Sequence, residues 1–170
     1  MMVKEILILG NQSSGKSLFI KRLLSINDLR KISTIPTTGT ELHSLQIRDC
    51  DFTLREVGGL MSSQWMSYIE HCNVLLFLID LSDLGSIATT VILLHEILDC
   101  IKHNLSRSIP FAVVFSKNDI CDPMSQIIFD NFINNEYEFF SNTYHKIVYF
   151  YGNSIDDALI LAIKDWINKI

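Results

Sequence analysis

The apolar run Ile6-Leu7-Ile8-Leu9 leads into Gly10-Asn11-Gln12-Ser13-Ser14-Gly15-Lys16-Ser17, and Leu18-Phe19-Ile20 follows. The run reads as a buried strand and the residues after Ser17 as an amphipathic helix, so the segment between them is a phosphate-binding loop in its proper setting. Glycine lets the backbone turn tightly toward an anion, and the helix N-terminus adds unpaired N–H groups and partial positive charge. Asn11, Gln12, Ser13, Ser14, Gly15, Lys16, Ser17 and Leu18 are therefore the expected contacts to a nucleotide's phosphates. Lys16 is expected on the β- and γ-phosphates and the Ser17 hydroxyl on a magnesium ion.

At 170 residues the chain is expected to be one domain with a proper core, and 48% hydrophobic against 19% charged residues is ordinary for a globular protein. A net charge of −5 argues against nonspecific nucleic-acid binding and against adhesion to anionic lipid. Cys50, Cys72, Cys100 and Cys121 are scattered without a zinc or dithiol spacing, as expected of reduced thiols. Met1 and Met2 run straight into Val3-Lys4, and position 2 is not glycine, so neither a signal peptide nor N-myristoylation is expected. The longest apolar stretch noted, Val74 to Ile79, is too short to span a bilayer. The expectation is a cytoplasmic monomer without its own membrane anchor, recruited to membranes by partners.

Apolar runs alternate with segments of helical period. Strands are expected at Val3–Leu9, Leu42–Ile47, Phe52–Val57, Val74–Asp80, Phe111–Phe115 and Ile147–Tyr151, and helices starting near Lys16, Ser62, Leu84, Met124 and Asp156. Strands apolar at nearly every position belong to a parallel sheet covered on both faces. Only Arg48-Asp49-Cys50-Asp51 joins the second and third strands, which is too short for a crossover, so these two form an antiparallel hairpin. The result is a three-layer α/β fold with a mostly parallel six-stranded sheet and about five helices, binding ligands at the carboxyl ends of the strands. Val91, Leu94, Leu98 and Ile101 form a core stripe on the third helix, and Ile163, Trp166, Ile167 and Ile170 one on the last.

Three more segments carry chemistry. A hydroxyl in Ile35-Pro36-Thr37-Thr38-Gly39 can reach magnesium only when a γ-phosphate is present. In Glu56-Val57-Gly58-Gly59 a carboxylate can hold a magnesium water and a glycine N–H can bond the γ-phosphate. In Ser116-Lys117-Asn118-Asp119 the aspartate can accept from guanine N1–H and the 2-amino group, which adenine cannot reproduce, while the lysine stem covers the base.

With these segments in place, the chain resembles a small GTPase of the Arf-like family over nearly its whole length. The Pro36-Thr37-Thr38-Gly39 switch I and the double glycine of switch II carry the likeness, and Arg55 to Met61 with Trp65 and Cys72 is similar to the divergent Arf-like protein 16 branch, which also has Glu for the usual Asp. The resemblance implies GTP or GDP with Mg2+ as ligands. Gly15, Lys16 and Ser17 would bind phosphate and metal, Ser17, Thr37 and Glu56 would form the metal side, and Thr37 and Gly59 would sense the γ-phosphate. Ser116, Lys117, Asp119, Tyr151 and Gly152 would surround guanine. It also implies protein effectors and regulators docking on switch I, switch II and the hairpin between them, and roles in membrane or ciliary traffic.

The departures bear on activity. Leu60 stands at the usual glutamine position and can neither donate nor accept, so no catalytic residue is assigned and hydrolysis is expected to be slow or partner-dependent, unless Gln64 takes over. Ser116 replaces an asparagine that ties the base loop to the phosphate loop, and a looser base pocket is expected. Tyr151 is bulky where the family has a small residue, unless Gly152 takes that role. Trp65, Met66 and Tyr68 form either an effector patch or, for Trp65, plain core. The alternative reading is a pseudo-GTPase, an interaction module that holds nucleotide stably or not at all. A nucleoside kinase is disfavoured, because no arginine-rich lid follows Asp119.

Overall fold

The computed structural model describes residues 4–24, 37–104, 107–123, 127, 131, 147–153 and 156–170. The expected helix beginning at Met124, residues 35 and 36 of the switch I segment, and Val3 at the head of the first strand lie outside them. Among the described residues six strands appear: β1 (Lys4–Gly10), β2 (Thr40–Ile47), β3 (Cys50–Val57), β4 (Val74–Asp80), β5 (Phe111–Ser116) and β6 (Ile147–Tyr151). Among the described residues there are four α-helices: α1 (Lys16–Leu23), α2 (Trp65–Ile69), α3 (Ile87–Asn104) and α4 (Asp157–Ile167). The sheet order is β2-β3-β1-β4-β5-β6, and every neighbouring pair is parallel except β2–β3.

That order places β1 between β3 and β4, where the direction of winding reverses. The carboxyl end of β1 therefore opens into a crevice between diverging connections, the usual ligand position of such sheets. The two-residue period of the strands sorts the core. Leu7, Leu9, Leu75, Phe77, Val113 and Phe115 meet α2 and α3 on one face. Ile6, Ile8, Leu76, Leu78, Ala112 and Val114 meet α1 and α4 on the other. All twelve are buried, because helices cover both faces of a parallel sheet.

Several boundaries differ from expectation. The hairpin turn is two residues long, since β2 and β3 extend to pair Ile47 with Cys50, and Arg48 takes a left-handed φ of 53° to close it. The helix expected at Ser62 starts at Trp65; a 3-10 segment, Gly59–Gln64, precedes it. Leu84–Ser86 is likewise a 3-10 turn before α3. On α3 the buried stripe runs through Leu94, Ile97, Leu98 and Ile101, with Val91 only partly covered. The segment Leu84–His103 is long and apolar enough to cross a membrane by length and composition, contrary to the reading that no stretch qualifies; its stripe packs on the sheet as in a core helix. Ile170 is exposed and Trp166 only half-buried, against Phe150 edge to face at 5.9 Å, so the last helix buries chiefly Leu159, Ile160, Ile163 and Ile167. Asp156 caps α4 by accepting from the Ala158 N–H at 2.9 Å, at the place where the last helix was expected to start.

Candidate nucleotide site

The loop from Gly10 to Gly15 turns at the carboxyl end of β1. Gly15 sits at the N-cap of α1 with φ 90°, a conformation that costs glycine nothing, and Ser13 joins it with φ 63°. The loop is closed by the Ser14 N–H donating to Asn11 O at 3.2 Å, and α1 begins with Phe19 N–H on Gly15 O at 2.9 Å. Gln12 and Ser13 are exposed, Leu18 is half-buried, and Ser14 is buried.

Lys16 folds back over this loop. Its Nζ donates to Gly10 O at 2.9 Å and Asn11 O at 2.8 Å, and lies 3.5 Å from Ser14 Oγ. Burial pushes its pKa down to about 8, opposed by the negative charge of Glu56. The ammonium is thus positioned by neutral carbonyls, with a bias toward losing its proton that an anion would reverse.

The three residues expected on the metal side come together from three separate elements. The Ser17 hydroxyl donates to Glu56 Oε1 at 2.7 Å and the Thr37 hydroxyl donates to the same oxygen at 3.2 Å. The two hydroxyl oxygens are 3.4 Å apart. Glu56 is buried at the end of β3, and its Oε2 has no hydrogen-bond partner. Three hard oxygen donors converging on one point, one of them charged, suit a magnesium ion.

Switch II closes on the same place. Gly58 donates its N–H to Gly39 O at 2.9 Å, joining the two switch segments. Gly59 lies so close to the phosphate loop that a Cβ there would fall 2.2 Å from Gln12 N and 2.5 Å from the Asn11 carbonyl carbon. Only glycine permits that approach. Leu60, next in line, is 68% exposed, and Gln64 is exposed as well.

On the base side, Ser116 reaches back to the phosphate loop. Its buried hydroxyl lies 2.9 Å from Ser14 O and 3.0 Å from Ile79 O, so this short side chain does tie the β5 loop to the phosphate loop. One proton is shared between two acceptors, where an amide would offer two donors. Lys117, with φ 59°, pairs through Nζ with Asp80 Oδ2 at 2.5 Å, and Asp80 is held in turn by Ser82. Asp119 is exposed, with no hydrogen-bond or ion-pair partner among the described residues. Tyr151 stacks on Phe115, ring centroids 4.6 Å apart, and is half exposed, while the Gly152 N–H donates to Phe115 O at 3.1 Å. The ends of β5 and β6 are thereby joined.

Trp65 is fully buried, edge to face with Phe77 at 5.9 Å, and its Nε1 donates to Gly58 O at 3.4 Å. It is core and props up switch II from beneath. Two contacts were not read from the sequence. Asn11 Nδ2 donates to the buried Thr90 hydroxyl of α3 at 2.7 Å, anchoring the phosphate loop to a helix 79 residues away. Asp80, read only as a strand end, is the partner of Lys117. A separate cavity of about 370 Å³, lined by Glu5, Arg55, Ser67, Tyr68 and His71, lies on the α2 side near the start of β1, away from these loops.

The comparisons with known proteins agree with this geometry. The family model of the ADP-ribosylation factor family matches residues 2–148. ADP-ribosylation factor-like protein 16 of Homo sapiens is 31% identical over 121 residues, 67% of this chain and 59% of that protein. ADP-ribosylation factor-like protein 10 of Mus musculus is 25% identical over 126 residues, 73% of this chain and 49% of that protein. The chain therefore spans about half the length of the curated relatives it matches. The structure of the Arl6 small GTPase from Trypanosoma brucei with bound nucleotide analogue GppNp superposes with a TM-score of 0.75 at 16% identity, covering 99% of this chain and 96% of that one. That likeness shows a shared fold.

Proposed function

The chain belongs to the ADP-ribosylation factor family, and from this premise we propose that it is a magnesium-dependent guanine-nucleotide switch with slow or partner-dependent hydrolysis. One observation carries the reading: Ser17, Thr37 and Glu56, from the phosphate loop, switch I and β3, meet at one point with Gly59 pressed against the same loop. These are the groups through which a switch distinguishes triphosphate from diphosphate. Ser17, Thr37 and Glu56 would hold magnesium, which would supply positive charge to offset that of the phosphates. Lys16 would hold the β- and γ-phosphates, Ser17 and Thr37 would offer hydroxyl ligands, and Glu56 would orient them. Asp119 would read guanine, and Lys117, fixed by Asp80, would support the base. Family membership alone supports an effector surface at the switches and hairpin and a role in membrane or ciliary traffic from the cytoplasmic side.

The first test is to denature freshly purified protein and identify the released nucleotide by ion-exchange chromatography. GTP is the expected result. GDP would mean that another group positions water despite Leu60. An empty protein that also fails to bind added GTP with magnesium would establish the second reading, a pseudo-GTPase, which the exposed, apolar Leu60 favours.

Two substitutions sharpen the reading. Leu60→Gln is expected to raise the single-turnover hydrolysis rate, since Ras-type proteins that keep the glutamine reach only ~10⁻⁴ s⁻¹ unaided. An unchanged rate would show that the missing amide is not what limits hydrolysis. Asp119→Asn is expected to cost roughly 1–3 kcal/mol of GTP affinity and to shift preference toward xanthine nucleotides, because the amide presents a donor where guanine needs an acceptor. Competition of GTP with xanthosine triphosphate reads the effect, and undiminished GTP affinity would remove Asp119 as the base reader.

A further inference from the structure

We propose that Glu41, His43 and Glu56 form a binding site for a divalent transition-metal ion of the zinc class at the open end of the β2–β3 hairpin. The register places Glu41 directly opposite Glu56, and His43 two residues further along β2 on the same face. That face continues into Leu45 and Ile47, which enter the core beside α1, so the polar pair extends an apolar stripe beyond the buried part. The ligand atoms of the three side chains all lie within 4.8 Å of one another, and His43 Nε2 is 3.6 Å from Glu41 Oε2.

The second observation comes from Glu56. Its side chain is only 1% exposed and its Oε1 accepts from Ser17 and Thr37, while Oε2 is buried without a partner. The Lys16 ammonium interacts with this charge, yet one buried oxygen stays unbonded beside a second carboxylate, an arrangement that favours an added cation. Two carboxylates alone would suit magnesium or calcium, but an imidazole in the set favours zinc, manganese or iron. Zinc bonds of about 2.0–2.2 Å require neighbouring donors about 3.4 Å apart. Glu41, exposed at the sheet edge, has the side-chain freedom to contract the site to that size. Glu56 would then serve Ser17 and Thr37 through Oε1 and the hairpin metal as well.

The test is calorimetric titration of Zn2+ into the full chain, stripped of metal and nucleotide, with Mg2+ in excess. The absence of nucleotide separates this result from the fate of the GTP reading. The expected result is one equivalent of zinc, bound at least tenfold more weakly by His43→Ala and by Glu41→Gln, and unchanged in Cys50→Ser, which removes the exposed thiol at the opposite, closed end of the hairpin. Zinc is also expected to raise the thermal midpoint of the wild type and not that of His43→Ala. Equal binding by wild type and His43→Ala, loss of binding in Cys50→Ser, or full displacement of zinc by magnesium would each overturn the site.

Discussion

Replacing Lys16 with alanine is expected to weaken GTP binding by roughly 2–5 kcal/mol, about 30- to 5,000-fold in Kd, the usual cost of removing one partner of a buried charge pair. The magnitude follows from its placement. The ammonium is buried, locked by the carbonyls of Gly10 and Asn11, and aimed at the mouth of a loop whose N–H groups already favour an anion. Its lowered pKa, about 8, adds a signature that a merely structural lysine lacks. A bound phosphate raises that pKa again, so binding takes up a proton above pH 8. GTP affinity should be flat below about pH 8 and fall by up to about tenfold per unit above it. Lys16→Ala should abolish that break. The nucleotide-free fold responds with the opposite sign. Between pH 8 and 10.5 the unfolded chain holds the proton that native Lys16 has lost, so stability rises with pH across that window. Fluorescence titration with a labelled GTP analogue from pH 6.5 to 9.5 measures the first effect. An affinity that stays level above pH 8 would place the lysine away from the phosphates.

Trp65→Ala should destabilise the fold by about 3–5 kcal/mol, the usual cost of emptying a large aromatic site. For a chain of this size that lowers the thermal midpoint by roughly 10–15 °C. The indole has no exposure, contacts Phe77 edge to face and donates to Gly58 O, so its removal leaves a cavity beneath switch II and takes away one of the two hydrogen bonds to that carbonyl, the other coming from Met61 N–H. Leu60→Ala, on the exposed part of the same switch, should change stability by less than about 0.5 kcal/mol. Thermal unfolding of the two variants side by side separates core from surface. If Trp65→Ala melted with the wild type, the tryptophan would belong to a docking surface.

What was legible in the chain was legible because it is local. A strand buried on both faces must be apolar at successive positions, so β1, β4 and β5 announce themselves. A backbone that wraps an anion needs glycine at fixed spacing, so the phosphate loop does too. The short link between the second and third strands excluded a crossover and fixed their antiparallel pairing. Helix starts were less legible. Gly59–Gln64 and Leu84–Ser86 bury no side chain and wind as 3-10 turns ahead of the helices, opening with Met61 N–H on Gly58 O and Ser86 N–H on Asp83 O.

The sequence by itself determined the layered α/β architecture, the phosphate loop and the identity of the groups available to a nucleotide. Only the tertiary structure decided which of those groups meet. Ser17, Thr37 and Glu56 converge because parallel pairing of β1 with β3 brings the end of β3 beside the start of α1. The tie from Ser116 to Ser14, the anchor from Asn11 to Thr90 and the pairing of Lys117 with Asp80 span 102, 79 and 37 residues. Local patterning cannot encode such distances, since period and propensity act within a few residues. Whether Trp65 faced solvent or core was undecided for the same reason: a five-residue helix has too few turns to show an apolar face, and the neighbouring sheet settled it.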